Sequence, residues 1–372
     1  MKKTLAAVAV LGAFAGSAFA ANVTLYGLVD LGVNYTHKNP AGEASTGTFS
    51  MGSGQNSGSR FGLKGTEELG NGMTVGFVLE NGFKADTGAF EKGDRLFHRE
   101  SLLFVQGAFG ELSMGRTGAL DAGTGRYNQM GSAATGMGTG WDAVGVSTSV
   151  LRGTASRMDN TITYKSPKFA GVGLLAQYSF DTDKAAKTAN ATTHGTEGDT
   201  DVNRYYALGV TGDFGALSSA LVVSQTNYAS PIVAQAANAK EDDDGFTVSG
   251  RVSYDFGMIK PMLAVQYFDD GAKTVAFDGT EGEEGYGVSI GATAPVFGGT
   301  LKVTTGYADY EYIDTTTDLN TWMVGVGYEY PLSKRTYLYT AAGYEQTTEE
   351  PAGAAKKEDR LYEVMFGMVH KF

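Results

Sequence analysis

The chain of 372 residues has no cysteine, which removes disulfide staples, Cys-ligated zinc and a cysteine nucleophile. Proline is scarce, at 7 residues. Glycine, at 53 residues, is about twice its ~7% background but shows no G-X-Y period, so a collagen-like chain is excluded. Basic residues are outnumbered, 29 Lys and Arg against 41 Asp and Glu, for a formal net charge of −12. An acidic chain of this kind is a poor nucleic-acid binder. Long apolar runs are absent past the N-terminus, so helical membrane spans are not expected. What the chain has instead is 20 Tyr and 20 Phe, far more aromatic surface than disordered chains carry.

The first twenty residues form a unit of their own. Lys2 and Lys3 precede an apolar stretch from Leu5 to Ala15, and Ala18-Phe19-Ala20 follows as an A-x-A site. That pattern reads as a secretory signal peptide over 1–20, leaving residues 21–372 as the folded domain. Its removal would take away two lysines and make the chain more acidic still.

From there on, apolar residues alternate with polar ones. Val23, Leu25, Val29, Leu31, Val33 and Tyr35 share one parity, while Thr24, Asp30, Gly32 and Asn34 take the other, as a strand with one apolar and one polar face requires. Ile162 and Tyr164 oppose Thr161, Thr163 and Lys165. Phe246, Val248, Val252, Tyr254 and Phe256 oppose Thr247, Ser249, Arg251 and Ser253. Trp322, Val324, Val326, Tyr328 and Tyr330 oppose Thr321 and Glu329, and Tyr362, Val364, Phe366, Met368 and Phe372 oppose Glu363, Gly367 and Lys371.

The connections alternate between tight and long. Seven are short and rich in turn residues, such as Gly70-Asn71-Gly72 and Asp213-Phe214-Gly215. Eight are long and polar: 37–57, 84–94, 117–158, 182–202, 229–244, 270–283, 313–318 and 346–359. Sixteen strands follow. An even number of strands with short turns at one end and longer loops at the other is the layout of an outer-membrane barrel. Only a closed sheet satisfies every lipid-facing backbone group. Aromatics at segment ends, Tyr26, Tyr35, Phe180, Tyr228, Phe268, Tyr312 and Phe372, are expected to form interfacial girdles. Strand-interior glycines such as Gly27, Gly62, Gly287, Gly327 and Gly367 suit the bends of a curved sheet or close backbone approach.

Enzyme motifs fail on context. Gly287-Val288-Ser289-Ile290-Gly291 matches G-x-S-x-G but lies within an alternating strand, not on a strand-to-helix turn. His37, His98, His194 and His370 lack metal-site spacing. No enzyme activity, cofactor or metal site is expected.

Several local sequences, taken in order, resemble the Gram-negative general porins of betaproteobacterial type. They are Asn22 to Asp30 (NVTLYGLVD), Ser59 to Gly70 (SRFGLKGTEELG), Phe109 to Arg116 (FGELSMGR), Tyr164 to Gly171 (YKSPKFAG), Leu332 to Tyr339 (LSKRTYLY) and the terminal His370-Lys371-Phe372. The resemblance implies an all-β fold, a sixteen-stranded antiparallel transmembrane β-barrel with a long third loop folded into the lumen. It also implies a homotrimer in the cell outer membrane, passing ions and small hydrophilic solutes. Partners would be outer-membrane lipid and lipopolysaccharide, with no nucleic acid, and Phe372 would serve as the assembly signal. A substrate-specific channel is the alternative; an outer-membrane hydrolase is a more distant one.

Strand parity predicts which charges face the water inside: Arg60, Lys64, Lys165, Arg251 and Lys302, with Asp30, Glu80, Asp255 and Glu363. Arg99 stays open, because either Leu102 and Phe104 or Leu103 and Val105 could face lipid. The resemblance places Arg60 and Arg99 at a constriction opposed by acids on the third loop, where Asp121 and Asp142 are available; Lys64, Glu80 and Arg116 complete the candidate pore residues. Arg126, Arg152 and Arg157 are further basic candidates. The acidic outer clusters, such as Glu241 to Asp244, read as solvated loop charges or as binders of divalent cations.

Overall fold

A computed structural model describes residues 22–93, 95–138, 141, 149–152, 156–182, 202–227, 244–269, 282–313 and 317–372. The signal-peptide segment, Tyr228, His194 and the Glu241 to Asp243 cluster lie outside these. The alternating segments become β1 (Thr24–Asn39), β2 (Thr46–Ser53), β3 (Arg60–Gly70), β4 (Met73–Gly82), β5 (Glu100–Gly107), β6 (Gly110–Gly118), β7 (Arg157–Lys165) and β8 (Val172–Ser179). They continue as β9 (Arg204–Phe214), β10 (Leu217–Asn227), β11 (Gly245–Tyr254), β12 (Lys260–Asp269), β13 (Glu283–Val296), β14 (Gly299–Tyr312), β15 (Thr317–Pro331), β16 (Thr336–Glu350) and β17 (Lys357–Lys371).

Each segment from β3 to β17 pairs antiparallel with the next, and β17 returns to β1 from Leu28↔Lys371 to Asn39↔Arg360. The sheet is therefore closed. β2 and β3 share one place in the wall: β3 pairs with Thr24–Leu28 and β2 with Leu31–Lys38. Sixteen wall positions result, with a turn over 54–59 interrupting the second.

Side-chain burial follows the parity read from sequence. On β15, Trp322, Val324, Val326 and Tyr330 are exposed while Leu319, Thr321 and Met323 are buried; on β17, Tyr362, Val364, Phe366 and Met368 are exposed and Glu363, Met365 and Val369 buried. The exposed apolar face is the one a bilayer would cover.

Three expectations need correction. The connections placed at 37–57 and 346–359 are largely strand. β2 folds back on β1, and β16 and β17 stay paired out to Glu349↔Lys357. Opposite charges across that hairpin, Lys357 to Glu349 at 3.2 Å and Lys356 to Glu350 at 3.1 Å, favour continued pairing despite the polar composition. Two girdle aromatics point the other way. Tyr26 shares parity with Asp30 and donates to Glu80 at 3.0 Å, and Phe268 is buried against Tyr310. Composition near a strand end does not reveal the face; parity does. The exposed aromatics at the tight-turn end are instead Phe109, Phe169, Phe256 and Phe297, the last 94% exposed.

Candidate functional site: the inner wall and its constriction

The long connection from β6 to β7 lies along the inward face of the sheet wherever it is described. Leu120 and Ala122 are buried with Leu175 of β8, Tyr205 of β9 and Val222 of β10. Arg251 of β11 donates to the carbonyl of Gln129. A single helical turn, α1 (Gly131–Ala134), follows, with Met130 and Ala134 buried beside Ala264 and Phe268 of β12. Met137 and Trp141 reach Tyr339 of β16 and Met365 of β17. The chain returns at Val150 and Arg152, whose guanidinium binds Glu283 of β13 and stacks over Tyr310 at 4.3 Å.

Glycine makes that close seating possible. A side chain at Gly287 would collide with the carbonyl of Val150, and one at Gly327 would meet Met137 Cε at 2.9 Å and the Trp141 ring at 3.0 Å. These glycines, read from sequence as bends or points of close approach, serve the second use here.

The connection covers the inner face from β8 to β17. Opposite it, along the wall from β3 to β7, stands a charged cluster. Glu80 accepts from Arg99 Nε at 2.7 Å and from Tyr26 at 3.0 Å, and lies 3.6 Å from Arg60 Nε. Arg157 is within electrostatic reach of Arg99, Glu100, Glu80 and Glu91. Glu100 accepts the N–H of Arg126 at 3.0 Å, and the Arg126 side chain pairs with Glu111 while lying 4.3 Å over Phe104.

The Arg99 ambiguity is resolved in an unexpected way. Leu103 is 60% exposed while Leu102 and Phe104 are buried, so strict parity would send Arg99 outward with Leu103. Arg99 precedes β5, outside the regular alternation, and its side chain turns inward to Glu80. Glu91, in the same connection, bonds His98 at 3.1 Å. That bond, reinforced by Arg99, holds its carboxyl down to about 2 despite partial burial.

The other predicted residues scatter. Lys64 lies toward the tight turn from Arg60, its ammonium 5.1 Å from the Tyr26 ring centroid. Arg116 stands apart from the Glu80 cluster. It pairs across from Ser101, next to the outward pair Leu103↔Met114, and its guanidinium binds Asp159 at 2.7 Å and the carbonyl of His98 at 2.7 Å. Asp121 is fully buried and receives hydroxyls from Tyr205 and Ser224, so it pins the connection to the wall. Burial pushes its carboxyl pKa up. Asp142 lies outside the described residues. Lys302 pairs with Glu329 at 2.9 Å beneath Trp141, and Glu363 holds Asn34 and Thr36. Phe372 exchanges backbone hydrogen bonds with Gly27, closing the seam.

Sequence reasoning missed the turn over 54–59. It enters the lumen, Asn56 bonding both Glu329 at 3.2 Å and Tyr337 at 2.8 Å. The run Gly54-Gln55-Asn56-Ser57-Gly58 carries a turn signal, but that signal does not say inward or outward.

Comparison with known proteins agrees with this architecture. A family described as Gram-negative porin matches residues 6–350. An outer membrane porin of Bordetella pertussis is 32% identical, over 92% of this chain and 94% of its own. Outer membrane porin protein 32 of Delftia acidovorans is 32% identical over 91% and 88%. The solved anion-selective porin from Comamonas acidovorans is 28% identical, with a TM-score of 0.66, covering 95% of this chain and all of that one. A closed sixteen-position barrel, apolar outside and charged within, that matches these proteins over about nine-tenths of its length belongs to the Gram-negative porin family and is an outer-membrane channel for passive diffusion.

Proposed function

We propose that this channel is a general diffusion pore with a preference for small anions, set where the Arg60, Glu80, Arg99 and Arg157 cluster faces the third connection. One observation carries the reading: Glu80, 11% exposed, lies 3.6 Å from Arg60, which is 26% exposed. Within this pair, water therefore reaches the guanidinium more than the carboxylate. Charges fixed on the wall of a narrow, low-dielectric passage act strongly on passing ions, and the net −12 of the chain has little bearing because screening confines each charge to about 8 Å at physiological salt. The anion-selective porin noted above supports the same sign. Lys64 extends the positive wall toward the tight-turn end. Membership of the porin family supports a homotrimer surrounded by outer-membrane lipid and lipopolysaccharide.

Reversal potentials across planar bilayers under a salt gradient test the reading. Arg60→Glu should shift permeability toward cations, and Arg60→Gln should do so less. A reversal potential unmoved by Arg60→Glu would remove Arg60 from the selectivity site.

A further inference from the structure

Ion selectivity as proposed does not use Asp30, yet this carboxylate is fully buried on β1. Its Oδ2 accepts the N–H of Asn56 at 2.8 Å and of Ser57 at 2.7 Å, and its Oδ1 accepts the Tyr339 hydroxyl at 2.7 Å. The Asp30 backbone joins in. Its N–H donates to Ser59 Oγ at 3.0 Å, and its carbonyl accepts from Ser59 Oγ at 3.1 Å and from Gly54 N at 3.0 Å. Asp30 thus bonds the inward turn at Gly54, Asn56, Ser57 and Ser59, beside the contacts that Asn56 makes with Glu329 and Tyr337. Burying a carboxylate is unfavourable unless its oxygens are well bonded, and three charge-assisted bonds supply that here.

Two arms leave this carboxylate toward the lumen. Along the first, the turn grips Arg60, whose Nη1 donates to Ser57 Oγ at 3.2 Å and to the Gly58 carbonyl at 3.0 Å. Along the second, the Tyr339 ring packs edge-on against Trp141 at 5.7 Å, in the third connection. The basic side of the lumen and the connection opposite it are therefore tied to the same buried group.

We propose that Asp30 is a positioning residue for permeation: it fixes Arg60 through the 54–59 turn and steadies Trp141 through Tyr339, so that ion preference depends on a side chain no solute touches. The inference rests on the reading of Arg60 as a selectivity group and deepens it. The sign of the effect separates positioning from simple charge. Removing a negative charge that acted directly through space would raise anion preference, whereas releasing Arg60 lowers it.

The test uses the full-length barrel, selected for the folded form by heat-modifiable gel mobility, in planar bilayers with potassium chloride. Asp30→Ala should lower the chloride-to-potassium permeability ratio about twofold, the scale of loosening one partly solvated charge contact. Asp30→Asn, which keeps one acceptor oxygen, should restore part of it. Tyr339→Phe should raise open-channel current noise with a smaller change in ratio. In an Arg60→Gln background, Asp30→Ala should change the ratio by no more than Tyr339→Phe does. A ratio that rises or stays put in Asp30→Ala, or that falls equally without Arg60, overturns the proposal. If Asp30→Ala does not fold, Ser57→Ala decides, because it removes one of the two bonds by which the turn holds Arg60 while leaving the carboxylate in place: a lowered ratio supports the proposal and an unchanged one overturns it. An Arg60→Gln variant that alone leaves the ratio unmoved overturns the selectivity reading itself, a result distinct from failure at Asp30.

Discussion

Single residues divide into those that meet the lumen and those that hold its parts in place, and charge alone does not tell them apart. Asp121 and Glu80 are both acids expected at the constriction, yet Asp121 is sealed between Tyr205 and Ser224 while Glu80 is shared by two arginines. The sealed one has a pH signature. Because burial raises the folded-state pKa of Asp121, the folded barrel binds its proton more tightly than the unfolded chain does. The resulting stability is present below the usual carboxylate pKa and is lost as pH rises through the raised value. Asp121→Asn should therefore match the parent in heat-unfolding midpoint in acid and exceed it increasingly as pH rises; equal midpoints across the range would contradict the buried-acid account. Glu91 has the opposite sign. Its carboxyl is lowered to about 2, so its contribution is full above the usual glutamate pKa and fades only as pH falls toward that value. Parity made most inward charges legible in sequence. Arg99 and Arg116 were not, because one precedes its strand and the other sits at a register shift between Gly115 and Thr117.

At the scale of elements, the strands could be read because a two-residue period is local. The seat of the third connection could not, since it is set by wall residues that lie elsewhere in the chain. Its seat depends on missing side chains: Val150 approaches Gly287, and Trp141 with Met137 covers Gly327. Gly287→Val should push the connection off β13 toward the channel axis and lower single-channel conductance, whereas a substitution at an open turn such as Gly257 changes no such contact. Unaltered conductance in Gly287→Val would mean the connection is seated otherwise. The hairpin of β16 and β17 shows the limit of reading polar runs as loops. A stretch rich in Thr and Glu still extends a ladder when its cross-strand neighbours carry the opposite charge.

For the whole molecule, closure between β1 and β17 removes the sheet edge that lipid would not tolerate. The wall is uneven. β5 to β8 have 8 or 9 residues while β13 to β17 have 14 or 15, against the ~9–11 residues a tilted strand needs to span. The long side therefore extends beyond the bilayer. Its lipid face can be tested directly: Val324→Arg, on the exposed face of β15, should destabilise the barrel by about 2–4 kcal/mol if it lies near the bilayer midplane. A loss well under that in reversible unfolding into lipid vesicles would place the residue near an interface.

The sequence by itself determined that this protein is an all-β chain whose alternating segments must close into a barrel. Alternation, turn chemistry and the absence of apolar helical runs are properties of neighbours in the chain, and they leave a membrane-spanning sheet no other stable form. Only the tertiary structure decided what fills that barrel. Asp30 meets Tyr339, and Trp141 settles over Gly327, because the closed wall brings residues far apart in the chain onto one inner surface, where burial and hydrogen bonding select contacts that no local pattern encodes.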